Sequence, residues 1–422
     1  MSRLFGTSGI RRMVDELSDE FAVNLGRAFG SVVDSDVAVG RDTRLSGPRL
    51  ESAFNSGVLS AGRDVVELGV VPTPTVGVAT AETGAGVVVT ASHNPPEYNG
   101  FKFFDKDGAF RPDEEDRVEG VFNSGPFRAG SGRLRDGDYV DRHVKLVLKA
   151  AGDAGSVKVL LDCAGGAGSV VTPRLLDEMG CESTVINGNR DGVFPHPLEP
   201  TAENLRETCR AVERSGADIG FAHDGDADRT CAIGGDGRLI EWDTFLTILA
   251  SQSKRVVTTV DASMRIEEYC GEVIRVPVGD VAVAEGIREN KAGFGGEPSG
   301  TYIFPDIHMY PDGVATVGKA LRLVADGRFY ELAGEIPSYP MERVKIPCAR
   351  KDKEKIMNSL KKTLKNLNYS EIDGIRVEED DGWLLIRPSG TEDYVRITAE
   401  ARTQRRLDEL VKKGREWIRK AG

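Results

Sequence analysis

The sequence predicts an α/β protein built from three related α/β domains and a smaller α+β domain at the C-terminal side. An internal repeat carries the first part of that reading. Residues 37–70, 157–188 and, in shorter form, 254–279 each run apolar strand, polar loop, helix, second strand. That order favours parallel strands joined by a right-handed crossover. The second observation is that residues 336–422 break the pattern, with strands and helices of a different spacing. The third is length: 422 residues accommodate two to four domains at roughly 100–200 residues each. Boundaries are expected near 145, 243 and 335, giving domains 1–145, 146–243, 244–335 and 336–422.

Taken in order, the first repeat opens with the apolar strand at 37–39, and Val87-Val88-Val89 marks a further buried strand. In the second, strands at 219–222 and 231–233 bracket an acidic turn. The third repeat is followed by the glycine-rich turn at 295–300. In the last domain Ile346 opens a short strand. The charged segment 351–367 is a helix with Ile356, Leu360, Leu364 and Leu367 on one face. Strands follow at 374–378, 383–387 and 394–399. A final helix over 404–420 carries the stripe Leu407, Leu410, Val411, Trp417 and Ile418. The segments 123–138 and 334–337 have the composition of linkers.

Composition excludes several classes. Net charge is −12, which argues against nucleic acid and against an anionic membrane surface. No apolar run reaches the roughly 18–20 residues of a membrane span, and residues 1–12 hold no apolar signal core. A cytoplasmic protein, monomer or homodimer, is expected. The six cysteines are scattered without Cys-x-x-Cys spacing, as reduced and mostly buried thiols would be. The five histidines show no zinc spacing.

Four segments carry chemistry. Thr90-Ala91-Ser92-His93-Asn94-Pro95-Pro96 follows a buried strand, so Ser92 stands where open α/β sheets place ligands. An ordinary turn is the plain alternative, and no Gly-x-Ser-x-Gly elbow is present. In Asp224-Gly225-Asp226-Ala227-Asp228-Arg229, three alternate carboxylates can converge on one hard cation such as Mg²⁺, an acidic turn between two strands being the plain alternative. Packed so closely without a cation, they would repel one another. An EF-hand needs glycine at the sixth and glutamate at the twelfth loop position; counted from Asp224 these are Arg229 and Gly235. Gly295-Gly296-Glu297-Pro298-Ser299-Gly300 permits close backbone approach and offers hydroxyl-reading groups in Glu297 and Ser299. Arg387-Pro388-Ser389-Gly390-Thr391 with Arg396 can cradle a phosphate, or is simply a polar hairpin.

These four segments, in this order, resemble the α-D-phosphohexomutase family, which includes phosphoglucomutase/phosphomannomutase and phosphoglucosamine mutase. Leu4-Phe5-Gly6-Thr7-Ser8-Gly9-Ile10-Arg11, Val39-Gly40-Arg41-Asp42-Thr43-Arg44 and Tyr98-Asn99-Gly100-Phe101-Lys102 match further signatures of that family. The resemblance spans the chain. It implies three α/β domains with mixed sheets and a smaller fourth around a central cleft. It further implies an isomerase that interconverts sugar 6-phosphate and sugar 1-phosphate through a phosphoserine and a sugar 1,6-bisphosphate. Ser92 would carry the phosphoryl group and, with Asp224, Asp226 and Asp228, hold Mg²⁺. Arg11, His93, Lys102 and Arg229 would surround the reacting groups, with Lys102 as general acid/base. Glu297 and Ser299 would read sugar hydroxyls. Arg387, Ser389, Gly390, Thr391 and Arg396 would grip the phosphate that is not transferred.

The chain departs from the family pattern at Arg12, Thr301 and Asp393, where glycine, histidine and proline are common. Val278-Gly279-Asp280 is similar to the phosphoglucosamine mutase form of its loop, which favours glucosamine 6-phosphate. Glucose or mannose phosphates, and a phosphopentose, are the alternatives.

Overall fold

A computed structural model describes residues 3–6, 8–365, 367–389 and 393–421. The chain divides into two compact units, residues 1–245 with 299–331, and residues 246–298 with 332–422.

The first unit contains two sheets. In the larger, the strands run in the order Ile10–Met13, Tyr98–Asp105, Gly84–Val89, Asp36–Arg41, Val65–Val70, Leu134–Asp136. The strand Asp36–Arg41 is parallel to both of its neighbours, while Tyr98–Asp105 is antiparallel to both of its own. Helices Asp19–Val32 and Gly47–Ser60 cover one face, over a core that includes Phe29, Phe54, Phe101 and Phe103. They touch backbone to backbone: a Cβ on Gly26 would lie 2.1 Å from the Phe54 carbonyl oxygen. Helix Thr73–Thr83 lies on the other face, so the central strands are buried on both sides and are apolar without alternation.

The smaller sheet orders Thr230–Gly234, Ile219–His223, Lys158–Asp162 and Glu182–Ile186. Its outer hairpin is antiparallel and the remaining pairs are parallel. Helix Gly313–Ala325 packs on helices Val140–Ala151 and Gly168–Glu178.

In the second unit, strands Glu272–Val276, Arg255–Thr259 and Phe294–Glu297 are parallel neighbours in that order. Each of the three sequence repeats therefore forms the expected parallel strand–helix–strand unit. An antiparallel sheet orders Met341–Pro347, Tyr394–Ala401, Gly382–Pro388, Ile375–Glu379 and Tyr369–Ser370. Helices Arg350–Leu364 and Gln404–Ala421 bury Leu360, Leu364, Leu407, Leu410 and Ile418 against one face. Period-two alternation sends Trp383 and Leu385 to the other face, onto Val260. Glu400 anchors that contact without solvent exposure. It accepts hydrogen bonds from Trp383 Nε1 at 2.7 Å, Ser263 Oγ at 2.5 Å and the Met264 N–H at 2.8 Å.

Four expectations need correction. The segment 334–337 is no free linker, since helix Arg328–Glu335 runs into it and Ile336 is buried. Helix Arg350–Leu364 stops short of Leu367, which is exposed rather than on its apolar face. The strand read as opening at Ile346 begins at Met341, because pairing with Tyr394–Ala401 fixes its length. The segment 123–138 is not a free linker. Helix Pro112–Ser124 runs into it, and Leu134–Asp136 adds an edge strand parallel to Val65–Val70. Backbone hydrogen bonds from Gly130 to Ser60 and from Gly132 to Leu59 hold its glycines down.

Candidate active site

Ser92 stands in the loop after strand Gly84–Val89, with φ 50°, a left-handed backbone unusual for a residue with a side chain. Neighbouring groups determine that conformation. The Ser92 N–H donates to Thr90 Oγ1 at 2.9 Å, and Thr90 Oγ1 donates to Asp42 Oδ2 at 2.7 Å. Arg44 does most of the holding. Its Nε donates to Asp42 at 2.9 Å. Its NH1 donates to the carbonyls of Pro95 at 2.6 Å and Tyr98 at 2.9 Å. Its NH2 donates to those of Ser92 at 2.9 Å and Asn94 at 2.6 Å. One buried guanidinium thus engages four backbone carbonyls of the serine loop. Arg44 was legible only as part of a family signature, because nothing in its local sequence points to a loop fifty residues away.

The aspartate loop joins strands Ile219–His223 and Thr230–Gly234, whose register pairs His223 with Thr230. Ser92 Oγ donates to Asp224 Oδ2 at 2.6 Å. A Cβ on Gly225 would lie 2.7 Å from the Ser92 carbonyl oxygen, so only glycine lets the two loops approach this closely. Asp226 accepts from Thr73 Oγ1 at 2.6 Å and its carbonyl takes the Thr73 N–H at 2.9 Å. The Ala227 carbonyl takes the Gly313 N–H at 3.1 Å. Thr73 and Gly313 brace the loop, and sequence reading singled out neither.

Lys102 projects from strand Tyr98–Asp105. Its Nζ donates to Asp226 Oδ2 at 2.6 Å and also to Asp228 Oδ2. Burial works against its charge, but the two carboxylates raise its pKa. Asp224 is shifted upward, by burial and then by Asp228 and Asp226. Asp226 is shifted downward; burial opposes this, but Lys102 outweighs it. Burial, then Arg229, Arg11 and Lys102, push His93 down to about 3, so the imidazole is neutral at physiological pH. His93 Nδ1 lies 3.4 Å from Ser92 Oγ. Arg11 NH1 donates to Asn94 Oδ1 at 3.0 Å, and the Arg229 N–H to Asp224 Oδ1 at 3.3 Å. Arg12 sits in regular strand opposite Asn99, its guanidinium 5.2 Å from the Phe21 ring centre, so the departure from glycine there fits without strain.

The aspartates fit a divalent cation on direct grounds. Asp226 Oδ1 and Asp228 Oδ1 are buried and without a hydrogen-bond partner. Buried carboxylate oxygens left unpaired are costly, and an all-oxygen set with ligand atoms within 4.8 Å of one another suits a hard ion. A second cluster, His143, His308 and Asp312, is as compact. The Tyr310 N–H donates to His308 Nδ1 at 3.2 Å, and His308 Nε2, buried without a hydrogen-bond partner, lies 2.9 Å from Asp312 Oδ2. The cluster is a hydrogen-bonded cap: Asp312 Oδ1 takes the Ala315 N–H at 2.8 Å at the start of helix Gly313–Ala325.

Arg11, Ser92, His93, Lys102, Asp224, Asp226, Asp228 and Arg229 are thus brought together in the first unit. Ser299, also in that unit, has Oγ 3.2 Å from Thr301 Oγ1. Glu297, Arg387, Ser389 and Arg396 belong to the second unit. Glu297 Oε1 accepts the Gly279 N–H at 3.0 Å. Gly390 and Thr391 lie outside the described residues. Arg396 stands opposite Arg387 on one neighbouring strand and Lys345 on the other. Directly opposed residues share a sheet face, so three cations lie in a row there, with the Asp373 carboxylate 2.9 Å from Arg387 Nε. Lys345 was not anticipated; in sequence it is one cation in a charged strand.

A buried serine oxygen, three carboxylates and nearby cations make a layout suited to phosphoryl transfer at a divalent cation. Comparison with known proteins agrees. The chain matches the phosphoglucomutase/phosphomannomutase alpha/beta/alpha domain I over residues 2–129, domain II over 137–237, domain III over 243–339 and the C-terminal domain over 344–416. It belongs to the phosphoglucomutase/phosphomannomutase family. A probable phosphoglucosamine mutase from Methanopyrus kandleri is 43% identical, over 97% of this chain and 96% of its own. One from Pyrococcus horikoshii is 40% identical, over 99% and 98%. The solved structure of a family member from Burkholderia thailandensis has a TM-score of 0.91 at 29% identity, covering 100% of this chain and 98% of its own.

Proposed function

We propose that this chain is a phosphoglucosamine mutase, interconverting glucosamine 6-phosphate and glucosamine 1-phosphate in the cytoplasm. The observation that carries the reading is the buried Ser92 hydroxyl, 2.6 Å from Asp224 at the head of the aspartate loop. Asp224, Asp226, Asp228 and phosphorylated Ser92 would hold Mg²⁺, which supplies charge neutralisation for phosphoryl transfer. Ser92 gives its phosphoryl group to one end of the sugar phosphate, forming a sugar 1,6-bisphosphate. It then receives the phosphoryl group from the other end, so the serine ester is restored and the sugar leaves as the isomer. Arg11 and Arg229 offset charge on the moving group, and neutral His93 offers a hydrogen bond without adding charge. Lys102 would act as general acid/base for the sugar hydroxyl once its Nζ leaves Asp226 and Asp228, which hold it charged here. Glu297 and Ser299 read hydroxyls, while Arg387, Ser389, Gly390, Thr391 and Arg396 hold the phosphate at rest.

The test is a mutase assay with Mg²⁺ and a trace of sugar 1,6-bisphosphate. Glucosamine 6-phosphate, glucose 1-phosphate and mannose 1-phosphate are compared while free phosphate is followed. Isomerisation without phosphate release, fastest in kcat/KM for glucosamine 6-phosphate, is expected. A higher kcat/KM for glucose or mannose phosphate would reassign the sugar. Phosphate release without isomerisation would make the aspartate loop a hydrolase site and remove Ser92 from the mechanism.

A further inference from the structure

Within the second unit, one side chain bonds to two segments that the substrate would have to engage together. Asp373 lies in the turn before strand Ile375–Glu379. Its Oδ1 accepts Arg387 Nε at 2.9 Å and its Oδ2 accepts the Val278 N–H at 3.1 Å. The next residue, Gly279, donates its N–H to Glu297 Oε1 at 3.0 Å. A continuous path therefore runs from Arg387 through Asp373 and Val278-Gly279 to Glu297.

We propose that Asp373 is a positioning residue that sets the spacing between the sugar-reading glutamate and the phosphate-gripping arginine. The proposal rests on the mutase reading above. Three features raise it above an ordinary surface ion pair, which would contribute little. First, both carboxylate oxygens are used, and one of them holds backbone rather than a mobile side chain. Second, Asp373 takes the Nε of Arg387, and the two η nitrogens make no hydrogen bond among the described residues. An arginine held this way presents a fixed fork to a phosphate. Third, the turn that delivers Asp373 is tightly set. Gly374 has φ 94°, and a Cβ there would lie 2.5 Å from the Ile386 carbonyl oxygen, beside Arg387. A hexose phosphate has a nearly fixed reach between hydroxyl and phosphate. Ordering both loops before binding removes a cost that the substrate would otherwise meet.

The experiment compares the wild type with Asp373→Asn in steady-state kinetics, beside thermal melting. Arg387 then faces an amide, so KM for glucosamine 6-phosphate should rise about tenfold or more while kcat changes by less than about threefold. In an Arg387→Ala background the same substitution should add less than about twofold, because the residue acts largely through the arginine. Should Asp373→Asn unfold, Asp373→Glu tests the same point: the charge stays, the fork shifts, and KM should still rise at least about threefold. An unchanged KM in a folded variant, or a penalty that multiplies in full with Arg387→Ala, overturns the proposal. A wild type that isomerises no sugar phosphate would instead overturn the mutase reading.

Discussion

Ser92 is the residue on which the chemistry turns. Ser92→Ala should lose turnover by about a thousandfold or more, while circular dichroism remains native. Incubation with sugar 1,6-bisphosphate should add one phosphate to the wild type by intact mass and none to the variant; full activity in the variant would remove Ser92 from the mechanism. Arg44 is the less obvious residue. It is 1% exposed and paired with Asp42, which has no exposure at all. Arg44→Ala leaves that carboxylate buried without its partner, and should cost about 3–5 kcal/mol of stability. Arg44→Lys keeps the charge but cannot reach four carbonyls from one point charge. It should fold, and accept phosphate on Ser92 more slowly. Denaturant melts and a phosphorylation time course measure the two effects, and wild-type values for both variants would count against the clamp.

At the scale of elements, loops are held by networks whose charges can be titrated. His196 Nε2 lies 3.1 Å from the buried Asp162, and His196 Nδ1 lies 2.9 Å from the Pro197 carbonyl oxygen. A carboxylate and a carbonyl as partners are both acceptors, which favours a proton on each ring nitrogen. Burial opposes that charge, but Asp162 and Pro197 raise the pKa. The folded pKa therefore lies above the unfolded value of about 6.5. The stability contributed is complete below that unfolded value and is lost as pH rises through the folded pKa. Melts at a series of pH values should show that loss in the wild type and not in His196→Gln; equal slopes would sink the account. The C-terminal helix makes a simpler case. Leu410 is 1% exposed on the buried face of helix Gln404–Ala421, and Leu410→Ala should cost about 2–5 kcal/mol in chemical denaturation.

For the whole molecule, the test is linkage between cation and fold. A cation that binds the folded aspartate loop raises the melting temperature by mass action. Mg²⁺ should raise Tm in the wild type, do so less in Asp226→Asn, and be reversed by a chelator that also stops turnover. A Tm indifferent to Mg²⁺ would argue that the orphaned oxygens Asp226 Oδ1 and Asp228 Oδ1 have another purpose. The family matches across the chain leave the fold class and the mutase class in agreement with the sequence reading. No helix among the described residues is long and apolar enough to cross a membrane.

The repeat and the two-sided valine strands were legible in the sequence because strand and helix periods are local properties. So were Ser92 and the alternating aspartates, since three carboxylates in five residues need an explanation wherever they fold. Thr73, Gly313, Lys345 and Asp373 were not legible, and Arg44 only as one residue of a family signature with no role attached. Each acts on a partner distant in sequence, and a lone arginine, threonine or aspartate reads as surface until its partner is known. The edge strand Leu134–Asp136 hid in the same way: its three exposed residues show no pattern, and pairing with Val65–Val70 alone makes them a strand. Composition and periodicity decided which segments pair and bury. Which polar groups meet, and so which carboxylates stay charged and which loop is held still, was decided only when the chain brought them within hydrogen-bond reach. There a shift of an ångström separates a bond from none.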